Sequence, residues 1–478
     1  MSGYKLSSFN WRLGYAVMAA AIAVACKLSL TGGQLLPGVD GAYYWVQVRS
    51  LLNDFDLAFD DLPLVFWVQS VISLAVGDIK LGVRISDAVL PALSAIPIYL
   101  LLKNSKHVWL PAAAILVVLL HPVQLYFFTG DFIKNAAAMP VAFFIGWILF
   151  TWDARSTKRS LLALLACFVI VGLTHFGTLL LCLLLVTLWV IFYLRKKPIR
   201  FWLRTAAIAL VVSAVTLAAL AVAVPSRFER LVEFVTQPAT IFAGPFWQLM
   251  FLMRPDVAII FTMFAGQIGS LALGILLWLK RAKLENASLS LAASSLVTAF
   301  LLSSPFVGIE WASRFIALSF APLFLAGMVL WRSIERKSVK LTVSALALST
   351  LAVALFLAPL GAKPSAVTEA EYKDLVTASQ EFSFPANSIV VARHGLEYLV
   401  AWQMKTHVIQ EETYLEDDLS AYSAVYLLST DSPAAGNAYD DANKPSDAKS
   451  ASGVGSSKPT NTSGLVYAKG KVTITKIR

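Results

Sequence analysis

The chain of 478 residues is long enough for several soluble domains or for one large polytopic membrane protein. Hydrophobic residues make up 58% of it, charged residues only 14%, and the mean hydropathy is +0.70. A soluble domain carries about 25% charged residues, so the composition excludes a soluble enzyme, a disordered chain and a collagen-like fibre. The net charge of +10 falls in short loops between apolar runs, where it is a membrane-topology signal rather than a nucleic-acid footprint.

A membrane-crossing helix needs about 20 mostly apolar residues. In chain order the runs that suit are Trp11–Leu30, Val83–Leu102, Val108–Phe128, Ala136–Trp152, Leu161–Leu173, Phe176–Leu194, Thr205–Val224, Val257–Leu279, Ala287–Leu302, Phe315–Trp331 and Leu341–Leu360, about eleven spans by length. Leu161–Leu173 is short. Ala23-Val24-Ala25-Cys26 faintly resembles a lipoprotein cleavage site, but the spans that follow make the first run an uncleaved signal-anchor. Cys26, Cys167 and Cys182 lie in apolar runs without disulfide or metal spacing, and read as buried small hydrophobes.

One more run, Leu62–Val76, is decided by charge parity. If it crossed, Arg195, Lys196, Lys197, Arg200 and Arg204 would lie outside, against the positive-inside rule. If it is an interfacial or re-entrant helix and the N-terminus is cytoplasmic, every basic loop lies inside. The external side then receives an acidic first loop, Thr31–Lys80, with Asp40, Asp54, Asp56, Asp60, Asp61 and Asp78. It also receives Thr129–Asn135, a small loop around His175, the loops Pro225–Pro255 and Ser303–Arg314, and the tail from Gly361. This topology places an integral multi-pass protein in a bacterial inner or plasma membrane, with an extracytoplasmic C-terminal domain.

The tail changes character. Ile389–Ala392 and Ala424–Leu428 read as strands, Leu396–Gln403 as a helix between them, and Val466–Ile477 as a closing hairpin with Gly470 at its turn. Asp431–Ser463, rich in Ser, Asp, Ala, Gly and Pro, reads as a disordered insertion. The expected fold class is therefore an all-α polytopic membrane protein with interfacial helices and a small C-terminal extracytoplasmic α/β domain. The boundary falls between residues 1–361 and 362–478.

Ionisable residues at membrane boundaries are costly unless paired or functional. Asp40 follows Pro37-Gly38-Val39 and precedes Gly41-Ala42-Tyr43-Tyr44-Trp45, a turn that presents a carboxylate ahead of interfacial aromatics. Asp131 stands in Thr129-Gly130-Asp131 just beyond a span, and Arg314 stands at the mouth of another in Trp311-Ala312-Ser313-Arg314-Phe315. A carboxylate can deprotonate a hydroxyl and an arginine can clamp a phosphate, so these residues suit an acidic, membrane-bound substrate. Each also has a plain structural reading. Asp40 can cap a helix, Asp131 can pair with Lys134, and Arg314 can snorkel. Lys27 reads as a snorkeler. His121, before Pro122, reads as a partner for a carbonyl freed at a kink, and His175 as either packing or a site polar group.

The acidic residue after span one, the amphipathic helices of that loop, the second acidic residue in the next external loop and the C-terminal domain resemble the GT-C superfamily of polytopic glycosyltransferases. The resemblance covers Trp11–Leu360 and rests on Val39-Asp40-Gly41-Ala42-Tyr43-Tyr44, Thr129-Gly130-Asp131 and Trp311-Ala312-Ser313-Arg314-Phe315. The tail has no Trp-Trp-Asp motif of oligosaccharyltransferase catalytic subunits. The layout is nearer the protein mannosyltransferase and lipid A aminoarabinose transferase branch. That branch carries a charged residue before a Pro-Pro pair in the first loop, where this chain has Asp60-Asp61-Leu62-Pro63.

What the resemblance implies is inverting transfer of a hexose or pentose from a polyprenyl-phosphate-linked sugar to an extracytoplasmic lipid, glycan or protein acceptor. Asp40 and Asp131 would be the catalytic carboxylates, and Arg314, Lys134 and Arg254 the groups that hold the donor phosphate. His175, Glu310 and Tyr43 would be further polar groups of the site. It leaves room for a divalent metal, Mg or Mn, on Asp40 and Asp131, although Phe132 and Ile133 stand where a second neighbouring carboxylate is usual. Nucleic acid is not an expected partner. A polytopic transporter or lipid flippase, and a membrane scaffold carrying the tail as a binding module, are the rival readings.

Overall fold

The computed structural model describes residues 10–30, 35–36, 38–130, 132–198, 200–201, 257–304, 309–332, 365–411, 419–430 and 464–478, with scattered positions between 202 and 256. The expected spans Thr205–Val224 and Leu341–Leu360, and the segment Asp431–Ser463, lie outside the described residues.

The first helix, α1 (Trp11–Ser29), starts where the Asn10 side chain accepts the Leu13 amide, an ordinary N-cap. Then come α2 (Gly41–Asp54), α3 (Leu64–Val76), α4 (Ile79–Ala92) and α5 (Ala95–Leu102). With 13 residues, α3 is about 20 Å long at 1.5 Å per residue. That is short of a hydrocarbon core about 30 Å thick, as charge parity requires. It turns at Gly77, at φ +79, and packs back on α4. The approach is so close that a Cβ at Gly82 would run into Ser73.

Next come α6 (Leu110–Leu119) and α7 (Pro122–Thr129), bent by 47° between them. Proline at the first position of α7 supplies no N–H to continue α6. His121 caps α7 by accepting the Val123 amide at 3.3 Å and stacks on Phe320 at 5.1 Å. Its ring therefore satisfies a freed N–H at the kink, where the sequence suggested a carbonyl. Five further helices follow among the described residues: α8 (Ile133–Phe150), α9 (Thr157–Thr174), α10 (Phe176–Tyr193), α11 (Val257–Lys280) and α12 (Asn286–Leu302). The last of the bundle, α13 (Ile309–Trp331), packs against α11 and α12.

Among the described residues seven helices are long and apolar enough to cross a membrane, or eight if α6 and α7 form one crossing. The segment read as short, Leu161–Leu173, belongs to an 18-residue helix of that class, because α9 begins earlier, at Thr157. The molecule is a mainly helical, multi-pass membrane protein. Lys27 departs from expectation. It is 1% exposed, because the end of α1 that carries it is covered by neighbouring helices, and its Nζ has no hydrogen-bond partner among the described residues.

The C-terminal part is a five-stranded sheet in the order β2-β1-β3-β5-β4. Its strands are β1 (Ser388–Ala392), β2 (His407–Gln410), β3 (Ala424–Thr430), β4 (Gly464–Lys469) and β5 (Val472–Lys476). β1 runs parallel to β2 and β3, with Val390 opposite Val408 and Tyr426, while β4 and β5 form the closing antiparallel hairpin. Helix α14 (Glu369–Glu381) precedes the sheet, started by a complete capping box of Thr368 and Glu371. Helix α15 (Leu396–Met404) connects β1 to β2. Strand β2 and helix α14 were not anticipated from the pattern, although Thr368 followed three residues later by Glu371 is a legible helix start.

One apolar cluster holds this domain to the membrane part. It joins Leu36, Tyr44, Trp45, Val48, Phe66, Val83 and Ile133 to Tyr372, Leu396, Val400, Tyr426 and Ile474. Arg49 of α2 donates to the carbonyls of Ala401 and Trp402 at 2.8 and 2.6 Å, neutralising the C-terminal dipole of α15. Lys80 donates to the Tyr372 hydroxyl and lies 4.6 Å from the Trp45 ring centroid and 5.0 Å from that of Tyr372.

Candidate active site

The site forms where the start of α2 meets the turn between β1 and α15. Gly38, at φ +88, pairs its backbone with Ser365, which pins the chain ahead of α2 to the chain entering the sheet domain. Asp40 occupies the N-cap position of α2 but makes no capping hydrogen bond. The structural reading of Asp40 as a helix cap thus fails. Its side chain is 43% exposed, and its Oδ1 lies 3.8 Å from His394 Nε2. Glycine makes this approach possible. Gly395 sits at φ +84, and a Cβ there would meet the Val39 carbonyl at 3.0 Å and the Ala366 Cβ at 2.8 Å.

A second group of charges lies on the other side of Tyr43. Asp61 is buried, pairs with Lys134, accepts the Tyr43 hydroxyl at 2.5 Å, and takes the Leu62 amide at 2.7 Å. Gln47, one helical turn from Tyr43, donates to the Tyr43 oxygen at 2.9 Å and to the Phe59 carbonyl at 2.8 Å. In return it accepts the Phe59 amide. The loop that carries Asp61 is thereby fixed to α2. Burial, and then the negative charge of Asp61, raise the Tyr43 pKa, so its hydroxyl stays a donor to Asp61.

Three half-buried rings join the two groups. Tyr43 stacks on Phe59 at 5.6 Å, and Tyr398 meets both edge-on, at 5.2 and 5.5 Å. Burial, followed by the charges of Glu397 and Asp40, pushes the Tyr398 phenol up as well. The arrangement therefore offers one accessible carboxylate, one half-buried ammonium ion already oriented by a carboxylate, and an aromatic wall between them.

A divalent cation wants several oxygen ligands. Among the described residues no group of three His, Cys, Asp or Glu could hold a metal ion; Asp131, the second ligand the sequence offered, lies outside them.

No family model matches the sequence, and neither does any curated protein. Solved structures do match in fold. ArnT from Cupriavidus metallidurans bound to undecaprenyl phosphate aligns with a TM-score of 0.52 and 12% identity, over 97% of this chain and 98% of that one. The Archaeoglobus fulgidus oligosaccharyltransferase in its apo form aligns with a TM-score of 0.51 and 13% identity, over 89% of this chain and 70% of that one. The archaeal oligosaccharyltransferase AglB from the same organism, in complex with an inhibitory peptide and a dolichol-phosphate, aligns over the same shares with a TM-score of 0.53 and 13% identity.

The fold is the one shared by these ArnT and oligosaccharyltransferase structures, as the resemblance read from the sequence implies. The near-complete mutual coverage with ArnT agrees with the aminoarabinose-transferase-like layout read from the sequence.

Within this frame the structure brings together Asp40, Tyr43 and Lys134, through residues the sequence reading did not assign to the site, Asp61, Glu397 and Tyr398, and through His394, which the sequence allowed either to face the membrane site, with Arg393 and Trp402, or to serve domain packing and surface. Asp61 had a signal, since it occupies the place of the charged residue before the Pro-Pro pair. His394 had its place beside the expected helix Leu396–Gln403, but nothing in the sequence pairs it with Asp40, more than 350 residues away by numbering. Arg314 stands exposed near the start of α13. His175 caps α10, accepting the Thr178 amide at 3.1 Å and meeting its hydroxyl at 3.0 Å, a structural use of its polarity. Asp131, Arg254 and the side chain of Glu310 lie outside the described residues.

Proposed function

We propose that the chain is a membrane glycosyltransferase that moves a sugar from a polyprenyl-phosphate donor to an extracytoplasmic acceptor, with Asp40 as the general base. The observation that carries this reading is the state of Asp40: at a helix start, not used as a cap, accessible, and facing the junction with the C-terminal domain. The polyprenyl phosphates in the structures of ArnT and AglB support the donor class.

The reaction is an inverting displacement at the anomeric carbon. Asp40 takes the proton of the acceptor hydroxyl as its oxygen attacks. The departing polyprenyl phosphate is a stable anion and needs no protonating acid, unlike the leaving alkoxide of a glycoside. The protein need only neutralise its growing charge. Lys134, held by Asp61, serves this, together with Arg314 and Arg254; Asp131 is the second carboxylate. Residues 1–361 form the catalytic membrane part and residues 362–478 the extracytoplasmic domain, with the N-terminus cytoplasmic.

The test uses the full chain in lipid nanodiscs, labelled undecaprenyl-phosphate hexoses and pentoses, and a membrane extract as acceptor source. Asp40→Asn keeps shape and loses basicity, so transfer should fall about 10²–10⁴-fold with donor binding retained. Near-parental transfer would reject Asp40 as base, and absence of sugar release by the parent chain from any of these donors would reject the activity.

A further inference from the structure

Four polar groups of the C-terminal domain are not used by this mechanism, and one of them, His394, lies beside its base. Glu397, in the first turn of α15, is only 1% exposed. Its Oε1 lies 3.2 Å from His394 Nδ1 and accepts the Gln410 amide at 2.9 Å, while its Oε2 has no hydrogen-bond partner among the described residues. The Gln410 nitrogen is also 2.9 Å from His394 Nδ1 and 3.5 Å from the Tyr398 hydroxyl. A buried carboxyl is costly to keep, and here both its hydrogen-bonding neighbours lie on one side of one imidazole.

Glu397 and Gln410 both meet the ring at Nδ1, so its orientation is fixed from that side and Nε2 is the atom turned to Asp40. The second ring contact acts the same way, since Tyr398 lies edge-on to His394 at 6.2 Å. The Nε2 to Oδ1 separation of 3.8 Å is beyond a hydrogen bond. The ring therefore faces the carboxylate across a gap longer than a hydrogen bond. Gly395, whose missing Cβ admits Val39, sets the distance between the two.

We propose that His394 is the positioning residue for Asp40, fixed by Glu397 and Gln410, so that the active site is shared between the membrane helices and the C-terminal domain. This rests on the reading of Asp40 as the base. The tail then serves the reacting centre.

The experiment compares full-length His394→Ala, His394→Gln and His394→Asn with Asp40→Asn, in nanodiscs, on labelled undecaprenyl-phosphate sugars. It measures kcat, donor KM and the melting temperature. His394→Ala should lower kcat by up to ~10²-fold, the cost of a reacting group displaced by about 1 Å, with donor KM unchanged and a lowered melting temperature, from the partner that buried Glu397 loses, that does not follow kcat across the three variants. His394→Gln, whose amide nitrogen reaches the place of Nε2, should recover part of that loss. His394→Asn, which reaches only the place of Nδ1, should not.

A parental kcat in His394→Ala, equal recovery by Gln and Asn, or a kcat loss that tracks a lower melting temperature would each overturn the inference. If Asp40→Asn is inactive while His394→Ala is normal, only this inference falls. If Asp40→Asn is normal, the reading beneath it falls as well.

Discussion

On α12, inside the helical bundle, the buried hydroxyls of Ser290, Ser295 and Thr298 have no hydrogen-bond partner among the described residues. At the junction of α2 with the C-terminal domain, Tyr43, Gln47, Arg49, Asp61, Lys80 and Gln403 are all engaged. The two regions use polar residues for different ends. In the bundle, small side chains let helices approach: α12 packs on α10, α11 and α13, and Gly146 of α8 lies directly against Leu325 of α13. With lipid outside, close packing rather than water expulsion holds such helices together. At the junction charges leave water, so each must find a partner.

This contrast can be broken most sharply at Asp61. Asp61→Asn removes the carboxylate paired with Lys134 in a largely buried position, which should cost up to about 3–5 kcal/mol. Asp61→Asn with Lys134→Met should regain part of it. Thermal unfolding in detergent reads both, and a single variant as stable as the parent would place the junction in the same class as the bundle.

Arg49→Met comes next. It removes two charge-assisted bonds to the end of α15, worth about 1.5–3 kcal/mol each, and should expose the C-terminal domain to limited proteolysis before the bundle melts. Unchanged proteolysis would show that the apolar cluster alone holds the domain.

In the bundle, Gly146→Ala should cost about 1–3 kcal/mol by overpacking, because the new Cβ would stand 2.5 Å from Leu325 Cδ2. The smallest effect belongs to Ser290→Ala. It deletes an unpartnered hydroxyl and should stay within about 0.5 kcal/mol of the parent or stabilise it. A loss above 1 kcal/mol would reveal a partner for that hydroxyl and weaken the contrast.

The strong apolar runs were legible because lipid imposes one requirement, length and apolarity, that any sequence window displays. Hence α1, α8, α10 and α13 lie close to where the pattern puts them. The helix α3 was legible from its short apolar run, Leu62–Val76. The sheet was legible where β-branched residues cluster, in β1 and β3, but β2 has four residues and follows an apolar helix, too little pattern to separate. Lys27 was misread because snorkelling is judged along one helix, whereas burial depends on the neighbours that cover it.

By itself the sequence determined the membrane class, most of the apolar helices, the helix-sheet division and the presentation of Asp40 after Pro37-Gly38, since each follows from residues within one helix turn or one span. Only the tertiary structure decided that Asp40 does not cap its helix, that Lys134 is paired with Asp61 over 73 positions, and that His394 faces Asp40. Those pairings join segments far apart in the chain. They exist because α2, the loop before α3 and the α15 turn share one buried apolar cluster, in which a charge without a partner would be too costly to keep.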